Sequence, residues 1–183
     1  MSSAGAERVT SRHDVYRGRI LSLEVDQVVL PNGRATTREI VRHPGAVVIV
    51  AADDRGRVVM VRQYRSAVAR ELIELPAGTR EPNEDAETCA RRELAEETGL
   101  VANDWTALGG FFSAPGFCTE YLSLFLATGL SAASGQPEED ESITREWVAL
   151  SAVSRMIAAG EICDAKSIAG LLRYLQRDTE ERQ

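Results

Sequence analysis

The chain is 183 residues long, 44% hydrophobic and 27% charged, with a net charge of −7 at pH 7. That length supports one hydrophobic core of ordinary size with a small appended unit, and that composition is normal for a globular domain. The acidic balance, with no basic stripe, argues against nucleic acid as a partner, but not against a phosphate-bearing ligand that a divalent cation can bridge to acids. There is no 18-residue apolar run to span a membrane and no apolar leader near the N-terminus, and Cys89, Cys118 and Cys163 show no metal-ligand spacing. The expectation is a soluble protein of the reducing cytoplasm.

Along the chain, residues 1 to about 12 are small and polar and are expected to fray. From Gly18 to Arg42 the pattern is that of strands: ILSLEVDQVVL, a turn at Pro31-Asn32-Gly33, then the β-branched ATTREIVR. This predicts a small antiparallel β unit over 1–43, with Pro44-Gly45 marking the start of a second domain over 44–183. AVVIVAAD and RVVMVRQY read as two buried strands around a turn at Asp53–Gly56. A helix follows ELIELPAG, then strands in GGFFSAPGFC and YLSLFLATGL, an acidic loop over Ser134–Ser142, and the strand TREWVAL. SAVSRMIAAGEI and SIAGLLRYLQRD are helical, with a break near Gly160–Asp164. Strands mixed with helices in this order indicate an α/β or α+β sandwich.

The most specific signal lies in Gly78–Leu100, GTREPNEDAETCARRELAEETGL. Its helix is predicted to start at Asn83 as N-cap, with acids in the first turn, and to stop at Gly99. Glu93, Glu96 and Glu97 then share one face with Ala86, Cys89 and Ala90, facing the protein, while Arg91, Ala95 and Thr98 face away. Three like charges so close are unfavourable without a cation. Arg92 can pair with one of them, but three hard oxygen donors suit Mg²⁺ or Mn²⁺. A solvated acidic helix is the plainer reading of such a run.

The spacing decides between the two. Gly78, five residues, Glu84, seven residues, Arg92-Glu93-Leu94, one residue, Glu96-Glu97, one residue, Gly99-Leu100 matches every position of the Nudix box. The chain thus resembles the Nudix hydrolases, which cleave nucleoside diphosphates linked to another moiety. The resemblance implies a mixed sheet between helices, a metal held by Glu93, Glu96 and Glu97, and a backbone carbonyl ligand from Ala77. Pro115, sixteen residues beyond Gly99, together with Arg62-Gln63-Tyr64-Arg65, Glu71–Gly78 and the N-terminal β unit, is similar to the ADP-ribose pyrophosphatase branch. Ala114, inserted between Ser113 and Pro115, departs from that branch's usual Ser-Pro-Gly.

For the branch, the resemblance implies hydrolysis of ADP-ribose to AMP and ribose 5-phosphate by a homodimer that exchanges its N-terminal units. Glu139, or else Glu141, would accept the proton of the attacking water, since metal coordination lowers the basicity of the box acids. Arg92 would orient a glutamate. Arg62 or Arg65 would contact phosphate or ribose, only one of them facing the cleft. Glu74 would reach a ribose hydroxyl or the metal cluster, Tyr16 would stack on adenine, and Pro115-Gly116 would shape the substrate loop. Two alternatives stand beside this: another nucleoside diphosphate sugar, such as a GDP-hexose, as substrate, and a sensor that binds ADP-ribose without cleaving it. The intact box glutamates speak for the enzyme.

Overall fold

The run AVVIVA over Ala46–Ala51 (β4) is buried at every position, as expected of a strand covered on both faces. Its even-numbered residues Val48 and Val50 pack with Met156, Ile162 and Leu171, and its odd-numbered Val47, Ile49 and Ala51 pack with Cys89, Ala90 and Leu94. Strand alternation at one segment thereby divides the core into two layers. The computed structural model describes residues 5–133 and 143–181, with the side chains of the last helix through Arg177.

The strands preceding β4 are Arg8–Arg17 (β1), Ser22–Val29 (β2) and Ala35–Arg42 (β3); those following are Arg57–Arg65 (β5), Arg70–Glu74 (β6) and Ala77–Thr79 (β7). Helix Ala86–Thr98 (α1) leads into Leu100–Phe112 (β8), Tyr121–Ala132 (β9) and Thr144–Ala149 (β10), and helices Leu150–Ala158 (α2) and Ala165–Glu181 (α3) close the chain. They form three sheets, ordered β1-β2-β3, β10-β5-β6 and β7-β4-β9-β8. In the last, β4 runs parallel to β9, with Val48 opposite Leu124, and antiparallel to β7, with Val47 opposite Gly78. The expected mixed sheet with helices is present. Among the described residues, no helix is long and apolar enough to cross a membrane.

Two compact units result. One holds the described residues through Gly45 together with Phe112–Tyr121; the other holds Ala46–Phe111 and Leu122 onward. In the first unit, Val41 exchanges backbone hydrogen bonds with Phe117 and Thr119. Its sheet buries Glu24 and Asp26, and Arg12 and Arg42 neutralise them, Arg12 Nε lying 2.8 Å from Asp26 Oδ1. In the second unit, the strands flanking Asp53–Gly56 join different sheets, and the turn is held by Asp53 Oδ1 accepting the Arg55 and Arg57 amides.

Three local expectations require correction. Residues 8–12 are not frayed: they belong to β1, whose ladder with β2 holds it although all ten of its residues are exposed. Asn83 does not cap α1; it takes a left-handed turn at φ 66°, and Asp85 caps the helix by accepting the Glu87 and Thr88 amides at 3.0 Å. Thr98 does not face solvent; it is buried with Ala90 and Leu94, its hydroxyl donating to the Leu94 carbonyl. The apolar stripe of α1 therefore runs Ala86–Ala90–Leu94–Thr98, and the glutamates lie along its edge. In addition, β8 begins at Leu100, well before Gly109, as the strand continues directly from the helix end.

Candidate active site

The chain changes sheets at Leu75-Pro76. Glu74 is the last residue of β6, Ala77 the first of β7, and the Pro76 carbonyl between them accepts the Ile49 amide at 2.9 Å. This fixes the short β7 strand beside β4, under the face of α1 that carries the acids. The Ala77 amide donates to Glu97 Oε2 at 2.9 Å. At Gly78 the approach is closer still: a Cβ there would lie 1.8 Å from Glu93 Cδ and 1.9 and 2.2 Å from its carboxylate oxygens. Only glycine leaves space for the Glu93 carboxylate at this position. At the other end of the motif Gly99, at φ 64°, stops α1 with its amide on the Ala95 carbonyl.

Arg92 organises the acids. Its Nε and Nη2 grip both oxygens of Glu84 at 2.9 and 3.0 Å, while Nη1 donates to Glu93 Oε1 at 2.8 Å and to Glu96 Oε2 at 2.9 Å. The fork geometry of a guanidinium makes this possible, which a lysine could not reproduce. The Arg92 hydrogen bond pulls the Glu84 carboxyl down to about 2, against the opposing effect of burial and helped by the Glu81 amide. The same bond raises the Arg92 guanidinium above its ordinary value. Cys89 is a fully buried core residue beside Ala90 and Leu94, and burial, reinforced by Glu84, pushes its thiol up to about 12.

Glu93, Glu96 and Glu97 come together on one helix edge; Glu93 and Glu97 are partly buried and Glu96 is exposed. Among the described residues no three acidic, histidine or cysteine side chains already converge as a ligand set, and one Arg92 nitrogen bonds to both Glu93 and Glu96. The donors nevertheless fit a hard divalent cation: all are oxygens, and the missing side chain at Gly78 is what lets the Glu93 carboxylate lie against β7.

Arg62 and Arg65 stand on opposite faces of β5. Arg62 reaches Glu146 of β10 at 3.3 Å, whereas Arg65 pairs with Glu74 through Nε and Nη2. Glu74 is 2% exposed and also accepts from Lys166. Burial alone would raise the Glu74 carboxyl, but Arg65 and Lys166 outweigh it and hold it below its ordinary value. Lys166, Asp164 and Ser167, which complete this network, were not picked out by sequence reasoning; they lie about ninety residues from Glu74 and no local pattern marks them.

The first unit carries the remaining candidates. Tyr16 is exposed on β1, its ring folded over Gly18. Pro115 and Gly116 lie exposed in a turn whose Ala114 carbonyl accepts the Phe117 and Cys118 amides at 3.1 and 2.9 Å. Glu139 and Glu141 lie outside the described residues.

Residues 41–171 match the family model of the NUDIX domain. The chain belongs to the Nudix family. Residues 7–41 of this Nudix protein match a second model, the nucleoside diphosphate sugar hydrolase N-terminal domain. It is 40% identical over 172 residues to the ADP-ribose pyrophosphatase of Bacillus subtilis (strain 168), covering 93% of this chain and 92% of that protein. It is 43% identical over 166 residues to the ADP-ribose pyrophosphatase of Mycobacterium tuberculosis (strain ATCC 25618 / H37Rv), covering 88% and 80%. Its fold superimposes on a crystal structure of an ADP compounds hydrolase with a TM-score of 0.86 at 22% identity, covering 99% of this chain and 98% of the other.

Proposed function

We propose that this Nudix protein hydrolyses the pyrophosphate bond of ADP-ribose, releasing AMP and ribose 5-phosphate, with Mg²⁺ or Mn²⁺ held by Glu93, Glu96, Glu97 and the Ala77 carbonyl. The observation that carries the reaction class is the Glu93 carboxylate seated on Gly78 with Glu97 tied to the Ala77 amide, which fixes two acids of one helix against one strand. The substrate is supported by the two relatives named ADP-ribose pyrophosphatase, matched over nearly the whole chain. When bound, such a cation neutralises the diphosphate and makes a water acidic enough to attack it.

The chain's own residues supply the rest. Arg92 orients Glu93 and Glu96 and is itself fixed by Glu84. Arg65, one edge of its guanidinium on Glu74, keeps Nη1 for a diphosphate oxygen. Glu139 or Glu141 takes the water's proton. Tyr16, Pro115 and Gly116 meet the nucleoside end. The protein works in the cytoplasm as a homodimer, which sedimentation of the full chain tests.

The product assay is direct. Incubation of ADP-ribose with Mg²⁺ yields AMP and ribose 5-phosphate in equal amounts, and Glu97→Gln yields neither. Binding of ADP-ribose by the wild type without any product would refute hydrolysis and favour the sensor.

A further inference from the structure

The first two turns of α3 pack against Glu74 and Leu75, at the end of β6 and just beyond it, at three points. Ser167 Oγ accepts the buried Leu75 amide at 2.7 Å, and Gly170 sits so close that a Cβ there would lie 2.7 Å from Leu75 Cδ1. Lys166 Nζ lies 2.5 Å from Glu74 Oε2 and 3.0 Å from Asp164 Oδ2, and Asp164 Oδ2 also accepts the Ser167 amide at 3.1 Å. Asp164, Lys166, Glu74 and Arg65 thus form a chain of alternating charge. Two residues beyond Leu75, the Ala77 amide holds Glu97.

Arg65 ends this chain. Glu74 binds it through Nε and Nη2, and among the described residues Nη1 has no hydrogen-bond partner. Its guanidinium also feels the charge of Glu97. A guanidinium clamped along one edge and partly exposed, with Glu97 within reach of its charge, is an oriented donor. A buried carboxylate with a single cation would be free to turn with it; one pinned from behind by a second cation is not.

We infer that Lys166 is a positioning residue: by fixing Glu74 it aims Arg65 Nη1 at the diphosphate of the substrate. This deepens the proposed function, on which it rests for the substrate. Among the described residues Lys166 pairs with Glu74 and Asp164, and it is through Glu74 that it reaches Arg65. Neutralising it by Lys166→Met leaves Glu74 to be held by Arg65 alone, and Lys166→Arg restores a cation that reaches the same carboxylate.

The test is a double-mutant cycle with Arg65→Lys, which keeps a cation on Glu74 but removes the Nη1 donor. Affinity for inorganic pyrophosphate in Mg²⁺, by titration calorimetry, is the readout, with kcat and KM for ADP-ribose beside it. Lys166→Met is expected to weaken pyrophosphate about fivefold in the wild-type background, the scale of one impaired hydrogen bond to a charged group. In the Arg65→Lys background it should matter less than about twofold, because the donor it aims is gone. Lys166→Arg should stay near wild type, and KM should move more than kcat. Equal weakening in both backgrounds, no weakening in either, or no pyrophosphate binding by the wild type would each overturn the inference. If Lys166→Met does not fold, Asp164→Asn replaces it in the cycle, with a smaller loss of the same pattern expected. Absence of ADP-ribose turnover by the wild type would instead defeat the proposed reaction, while the pyrophosphate cycle would still judge the role of Lys166.

Discussion

Replacing Gly78 by alanine moves the carboxylate of Glu93, the proposed metal ligand, without touching it chemically. The added methyl would stand 1.8 Å from Glu93 Cδ. Carbon atoms in contact rest near 3.5 Å, so the carboxylate must retreat by about 1.7 Å. It can do so, being the end of a flexible side chain, by swinging toward solvent with loss of its 2.8 Å bond to Arg92. Misplacing a reacting group by about 1 Å costs on the order of a hundredfold in rate, so Gly78→Ala should lower kcat for ADP-ribose by ~10²-fold or more. Stability should change little, within about 1 kcal/mol, because the lost ion pair is offset by the reduced freedom of the unfolded chain. The assay is kcat at saturating Mg²⁺ beside the urea midpoint of unfolding. A variant that folds normally and retains a fifth or more of wild-type kcat would refute the claim that Glu93 must sit on Gly78.

Further outcomes follow from other contacts. A methyl at Gly170 would press on Leu75 at 2.7 Å and Leu124 at 3.1 Å, so Gly170→Ala should cost about 1–3 kcal/mol of stability by denaturant titration; a neutral result would mean α3 is loosely docked. Glu84, held near 2 by Arg92 against an ordinary 4.5, contributes stability that is present above 4.5 and lost as pH falls through 2. Glu84→Gln should therefore be less stable than wild type at pH 7, with the gap closing between pH 4.5 and 2 in acid unfolding; a constant gap would contradict the ion pair. For the general base, Glu139→Gln or Glu141→Gln should lower kcat about 10²-fold or more, the low end of general-base catalysis. Wild-type turnover in both, with Glu97→Gln inactive, would remove the base from this loop.

Much of the second unit was legible because its chemistry is local. AVVIVA and RVVMVRQY announce buried strands by apolar runs, and the box fixes a loop–helix with its acids by spacing alone. What was not legible depends on partners elsewhere in the chain. RVTSRHDVYR forms a strand only because β2 offers it a ladder; exposed on both faces, it shows no alternation to read. Asn83 and Asp85 are both good capping types two residues apart, and only the turn geometry chooses the second. The edge position of the glutamates on α1 followed from Leu94 and Thr98 taking the centre of the buried face. The Arg65–Glu74–Lys166 network joins β5, β6 and α3, and no sequence window contains it.

The measurement that bears most directly on the central claim is kcat/KM for the wild type with Mg²⁺ and with Mn²⁺ across ADP-ribose, ADP-glucose, GDP-mannose, NADH, dinucleoside polyphosphates and 8-oxo-dGTP. A clear preference for ADP-ribose, abolished by chelation and by Glu97→Gln, is the result expected. Preference for a guanosine diphosphate sugar, or turnover that survives loss of Glu97, would contradict the account.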